Sequence, residues 1–186
     1  MSDERARVLI ENYFNGDPEA FEALMLLYLK PVYNFAYRYA GDVASAEDIT
    51  QETFVKVWKN LKKFDRAKSF KTWIFTIAKN TAFDFLKKKK AIPFSAFDTD
   101  TGENMIADTL ADPAPLPLEL FEQKELSQML ERAVSALAPH YREVILLRYF
   151  EQFTFQEIAD ILKEPLDTVK SKSRRALIIL RKSLHQ

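Results

Sequence analysis

The stretch that most constrains the fold is Thr154–Arg175, TFQEIADILKEPLDTVKSKSRR. Thr154 can accept a hydrogen bond from an orphan N–H of a first helical turn, and Glu157, three residues on, completes a capping box. Ile158, Ala159, Ile161 and Leu162 follow at helical spacing. Lys163-Glu164-Pro165 ends the pattern, because proline lacks the N–H and disfavours helix in the residue before it. Asp167 is expected to cap a second helix with Val169, Ala176, Leu177 and Leu180 inward. Thr168, Lys170, Ser171, Lys172, Arg174 and Arg175 are left on its outer side. A capped helix, a turn and a basic second helix form the helix-turn-helix pattern, whose second helix enters the major groove of DNA. The plainer alternative is a solvated basic face. Against it, these charges open the helix, where the macrodipole disfavours cations. Ser171 also sits among them, a short donor and acceptor suited to base edges or phosphates.

A chain of 186 residues with 47% hydrophobic content can form one or two small domains with packed cores. There is no cysteine, so disulfides and thiolate metal sites are excluded, and His140 and His185 lie too far apart in sequence to suggest a histidine metal cluster. The start, MSDERARVLIENYF, lacks a basic segment followed by an apolar run, and no membrane-length apolar run occurs. The expectation is a cytosolic protein. Helical periodicity almost throughout, with only 3 glycines, predicts an all-α fold.

The formal net charge of zero hides segregation. Lys56, Lys59, Lys62, Lys63, Arg66, Lys68, Lys71, Lys79 and Lys87–Lys90 are opposed within their block only by Asp65 and Asp84. From Asp98 to Glu125 acids dominate, and the chain turns basic again at its end. Two basic blocks around an acidic one suggest two contacts with a polyanion. The acidic block, AIPFSAFDTDTGENMIADTLADPAPLPLE, is rich in proline and has no sustained helical period. It reads as a linker. Two helical domains are therefore expected, 1–91 and 120–186, joined by 92–119.

In the first domain, Asp17-Pro18 starts a helix with Phe21, Leu24, Leu27 and Tyr28 inward. A break is expected at Pro31, with Val32, Phe35, Ala36 and Tyr39 continuing the stripe. Ser45–Asp48 reads as a capping box opening a helix with Ile49, Phe54, Val57, Trp58 and Leu61 inward and Asp48, Gln51, Glu52 and Lys59 on the polar face. The loop KKFDRAKSFKTW leads to a last helix that packs Ile74, Phe75, Ile77, Ala78 and Phe85. Thr76, Asn80 and Asp84 share one face, flanked by Lys79, Phe83 and Lys87. Aromatic rings interleaved with lysines suit single-stranded nucleic acid, where bases stack and cations hold the backbone. The alternative is that Phe64, Phe70 and Trp73 close the core.

DITQETFVKVW at Asp48–Trp58, SFKTWIFTIAKNTAFDFL at Ser69–Leu86, and LAPHYREVILLRY, FTFQEIADIL and PLDTVKSK near the end together resemble the extracytoplasmic-function (ECF) sigma factors, which carry only regions two and four of the sigma-70 family. The resemblance covers nearly the whole chain. It implies a protein that binds core RNA polymerase, directs it to promoter DNA and helps melt it. It assigns Asp48, Gln51 and Glu52 to polymerase docking. It assigns the loop Phe64–Lys71, including Ser69, to capture of a flipped base of the minus-ten element, and Asn80 with Thr76 and Lys79 to reading that element. Thr168, Lys170, Ser171, Lys172, Arg174 and Arg175 match the helix that reads the minus-thirty-five element. Family members often have glycine where this chain has Lys163 and Asp167, and arginine where it has Lys170 and Lys172. Lysine lacks arginine's bidentate fork, so phosphate contact suits these positions better than base readout. An anti-sigma factor is an implied partner. No catalytic residues, metal, cofactor or small-molecule substrate are expected. A helix-turn-helix regulator that does not join polymerase would explain the C-terminal domain but not Ser45–Trp58 or the aromatic, basic block before Lys90. A nucleic-acid enzyme would need clustered carboxylates or a nucleophile with its base.

Overall fold

The computed structural model describes residues 2–91 and 129–184, with side chains described over 4–88 and 129–184; the expected linker, 92–119, lies outside the described residues. All regular structure among them is helical. The first domain holds α1 (Ser2–Phe14), α2 (Pro18–Ala40), α3 (Val43–Asn60), a 3₁₀ turn (Leu61–Lys63) and α4 (Phe70–Ala91). The second holds α5 (residues 129–135), α6 (Pro139–Ile145) running on into a π-helical turn (Leu146–Phe150), α7 (Phe155–Leu162) and α8 (Leu166–Leu184).

Asp17 caps α2, accepting from the Glu19 N–H at 3.0 Å, and Pro18 occupies the first helical position. The helix then passes through Pro31 without stopping. An interior proline costs about 3 kcal/mol. Leu24, Tyr28, Val32, Phe35, Ala36 and Tyr39 are buried on both sides of it. Each large side chain so buried returns about 1.5–3 kcal/mol, and one continuous stripe keeps both halves on the same core. Gly41 ends α2 at φ +90°, its N–H donating to the Tyr37 carbonyl at 2.8 Å.

The start of α3 differs from expectation. Asp42, not Ser45, is the cap: its carboxylate accepts from the Ser45 N–H at 2.8 Å and from the Ser45 hydroxyl at 2.9 Å. The inward face is Ala46, Ile49, Thr50, Thr53 and Val57. The two threonines can be buried because their hydroxyls donate to the Ala46 and Ile49 carbonyls, at 2.6 and 2.7 Å. Trp58, expected inward, lies one residue past this stripe and is 59% exposed.

The loop from Phe64 to Ser69 closes over the core. Phe64, Phe70 and Trp73 form a cluster with ring centroids 5.0–5.5 Å apart, and Phe70 also meets Tyr28 at 5.2 Å. Ser69 caps α4, its hydroxyl accepting from the Thr72 N–H at 3.2 Å.

The helix-turn-helix forms as expected at α7, where Thr154 and Glu157 make both bonds of the capping box. Lys163 then turns the chain at φ +55°. The Pro165 carbonyl accepts from the Thr168 and Val169 N–H groups, so Asp167 lies inside the first turn of α8 instead of capping it. The buried stripe of α8 is Val169, Ser173, Ala176 and Leu180; Leu177, expected inward, is turned to solvent.

The two domains pack together along one seam. Phe75 of α4 meets Phe153 edge to face, with ring centroids 5.1 Å apart, and both are buried. The Arg38 guanidinium lies 4.5 Å from the Phe150 ring centroid. Arg142 donates to the Tyr39 carbonyl at 2.8 Å. The Lys71 ammonium donates to the Glu151 carbonyl at 2.5 Å and sits 4.3 Å from the Phe153 ring centroid.

Candidate nucleic-acid interface

Along α8, Thr168, Lys170, Ser171, Arg174 and Arg175 are exposed while the helix is held from behind by its buried stripe. Lys172 is different. Its ammonium is bound to the Glu164 carboxylate at 2.6 Å, and the pair is half-buried across the turn. This lysine fastens the turn to the helix. His140, its ring tilted against that of Tyr141 with centroids 4.1 Å apart, joins Asp167, Thr168, Ser171 and Arg175 around an open cleft of about 500 Å³. A lone exposed histidine at the start of another helix gave no sequence signal for this juxtaposition.

On α4, Asn80 is exposed, and Thr76 and Lys79 are half-buried beside it. The Thr76 hydroxyl donates to the Thr72 carbonyl at 2.8 Å, and Lys79 lies 5.9 Å from the exposed Phe83 ring. Ser69, Thr72, Trp73 and Thr76 form one wall of a cleft of about 870 Å³, with Lys68 at its rim. The opposite wall comes from α7 and the turn after it, including Glu157, Asp160 and Glu164. Lys71 is engaged in the seam. Phe64 and Phe70 are core residues, held by each other and by Trp73. A base could therefore meet the loop backbone and Trp73 more readily than either phenylalanine ring.

The polar residues of α3 do share a face. Asp48, Gln51 and Glu52 are exposed, and Glu52 pairs with Lys56 at 2.9 Å. Lys56 in turn donates to the buried Thr81 hydroxyl at 3.1 Å, which ties this face to α4. Val55 and Trp58 extend the face one and two turns on, 42% and 59% exposed. Two large apolar groups beside a carboxylate cluster suit a protein partner better than solvent. Spacing places Trp58 inward, and only the register of Thr50 and Thr53 moves it out.

Buried ionisable groups concentrate where the domains meet. Desolvation pushes the Glu151 carboxyl up to about 7, with Lys71 and Arg38 pulling it back. Desolvation also raises Glu143, against the lowering pull of Lys79 and Lys172. Tyr39 is pushed up to about 12, chiefly by burial and then by Glu143. Among the described residues there is no His, Cys, Asp or Glu cluster able to hold a metal, and no helix is long and apolar enough to cross a membrane.

Comparison with known proteins agrees with this arrangement of parts. The sigma-70 region 2 family model matches residues 24–92, and the sigma-70 region 4 model matches 127–180. The ECF RNA polymerase sigma factor SigW of Bacillus subtilis is 35% identical, covering 94% of both chains. The ECF RNA polymerase sigma-E factor of Escherichia coli is 33% identical over 91% of this chain and 89% of its own. Among solved structures, the sigma factor RpoE of Bartonella quintana, in complex with the anti-sigma factor NepR, is 25% identical with a TM-score of 0.68, covering 89% of this chain and 96% of that one. Two region models in sequence order, relatives aligned nearly end to end, and a helix-turn-helix behind a compact four-helix domain establish that this chain belongs to the ECF sigma factors of the sigma-70 family.

Proposed function

We propose that this sigma factor docks on core RNA polymerase through the α3 face of Asp48, Gln51, Glu52, Val55 and Trp58, and reads promoter DNA at two places. α8 enters the major groove of the upstream element with Lys170, Ser171, Arg174 and Arg175, flanked by Thr168. Arginine supplies bidentate base contact there, and lysine supplies phosphate contact. The loop before α4, with Ser69, and the α4 residues Lys71, Thr76, Lys79 and Asn80 take the melted downstream element. Asn80 can pair bidentately with a base edge, and the loop offers its backbone to an extruded base. The chain acts by binding, and the chemistry of RNA synthesis belongs to the polymerase. The NepR complex of the Bartonella relative supports an anti-sigma factor as a further partner of this chain.

The observation that carries this reading is the presence, on one chain, of an exposed basic recognition helix and an exposed acidic and apolar α3 face. A helix-turn-helix regulator independent of polymerase has no use for the second. The test is transcription with purified core polymerase on a library of upstream sequences. Enrichment of templates with two spaced elements is expected. Failure to bind core polymerase would leave the independent regulator as the better reading.

A further inference from the structure

Phe83 of α4 is 51% exposed and takes no part in the core, although Phe85 and Leu86 close by both pack against it. An exposed ring is ordinary by itself. Its surroundings are not. At 3.6 residues per turn, Lys79, Phe83 and Lys87 form one ridge of the helix, so the ring has a cation one turn to either side. The Lys79 ammonium lies 5.9 Å from the ring centroid and also faces Glu143 of α6, while Lys87 and Asn80 are exposed. Asp84 falls on the far flank of Asn80. Val55 and Trp58 of α3 stand beside carboxylates, which suits a protein; Phe83 stands between lysines, which suits a polyanion.

The place of the ring along α4 decides which part of the DNA it meets. The capture loop lies before the helix, Asn80 lies midway, and Phe83 is a further turn from the loop. In the function proposed above α8 holds upstream duplex, so the strands beyond Asn80 are still paired. Paired bases hide their faces in the stack, and a ring laid on duplex reaches only the groove edges. The major groove admits an α-helix, and the one apolar group it presents is the C5-methyl of thymine. We propose that Phe83 reads a thymine methyl in the last intact base pair at the upstream edge of the downstream element, with Lys79 and Lys87 toward the phosphates on either side. This rests on the reading of α4 as the downstream-element surface, and adds to it a contact with duplex that neither Asn80 nor the loop makes.

The test uses holoenzyme reconstituted with core polymerase. Its templates are forks built from promoters recovered from the library, duplex down to the upstream edge of the downstream element and single-stranded below it. The parent should prefer thymine in the last base pair and bind about fourfold less well when deoxyuridine replaces it, the loss expected for one buried methyl. Phe83→Ala should bind the thymine and deoxyuridine forks alike, with its thermal midpoint close to that of the parent. Phe83→Leu, still apolar, should keep the preference for thymine. Equal binding of both forks by the parent overturns the proposal. A Phe83→Ala protein that still discriminates assigns the methyl to another group and overturns it too. An equal loss in Phe83→Ala on both forks means that the ring stacks on a base, which also overturns it. Asn80→Ala tests the underlying reading, and should weaken binding of every fork while keeping the preference for thymine. If only Asn80→Ala weakens binding, the reading of α4 stands and the proposal alone falls. If Asn80→Ala and Phe83→Ala both bind every fork as the parent does, α4 is not a DNA surface, and reading and proposal fall together.

Discussion

Lys163 turns the chain at φ +55° and ψ +45°, a region that L side chains enter at a cost of roughly 1–2 kcal/mol. Its N–H reaches the Ala159 carbonyl, so the conformation is what ends α7 and aims α8. Lys163→Gly should therefore raise unfolding stability by about 0.5–1 kcal/mol, measured by urea titration, with DNA preference unchanged. The cations of α8 divide by their partners. Arg174→Ala or Arg175→Ala should relax specificity at one upstream position by about 1–3 kcal/mol, read from binding to single-base variants of the element. Lys172→Ala should act on the fold first. It leaves Glu164 half-buried without its ammonium and should lower stability by about 1.5 kcal/mol, since hydrogen bonds to charged groups contribute about 1.5–3 kcal/mol. Equal and uniform losses of DNA affinity in all three variants, with stability intact, would mean that Lys172 is a phosphate contact like its neighbours.

On α3, the proposed docking face can be removed without touching the core, because Asp48, Gln51, Glu52 and Trp58 all lie opposite Ile49, Thr53 and Val57. Replacing Asp48, Gln51 and Glu52 by alanine should weaken core-polymerase binding while leaving the thermal midpoint close to that of the parent. Trp58→Ser should cost about 2 kcal/mol of binding, as exposed aromatic anchors at interfaces often do. Undiminished core binding in both would move the docking surface elsewhere. The elements themselves were legible to different depths. α7 could be read from Thr154, Glu157 and the stripe that follows, because every partner lies within two turns. The start of α3 is not legible because Ser45 and Asp48 satisfy a capping pattern as written, whereas Asp42, in extended backbone, takes the Ser45 N–H. Hydrophobicity points Trp58 and Leu177 inward, yet Thr53 and Ser173 fill the inner register. Buried hydroxyls disguise a helix stripe as polar. Pro31 signals a break because local propensity cannot see the core that spans it. The seam left no mark in the sequence at all, since it joins Lys71 to Glu151 across a separation of 80 residues.

In the proposed function strand opening belongs to the whole molecule, because one domain would hold duplex upstream while the other takes the freed strand. Extruding a base costs a few kcal/mol, and stacking with hydrogen bonding can return a similar amount. Asn80→Ala should thus spare core binding and upstream recognition but reduce permanganate reactivity of thymines near the start site on duplex promoter, with rescue on a template pre-opened by mismatches. Normal reactivity on the duplex would remove Asn80 from strand capture. The ammonium of Lys71 carries a further consequence at this scale. It is bound to the Glu151 carbonyl and rests on the Phe153 ring. A promoter phosphate that calls on the proposed contact at Lys71 must then outbid a rival tethered to the same chain, and its apparent affinity is scaled down by the fraction of molecules in which that ammonium is released. Every promoter suffers the same handicap, so the ranking among them is kept, while those with poor matches fall below useful occupancy. The seam therefore acts on every promoter by one common factor, and the weakest matches are the first to lose occupancy.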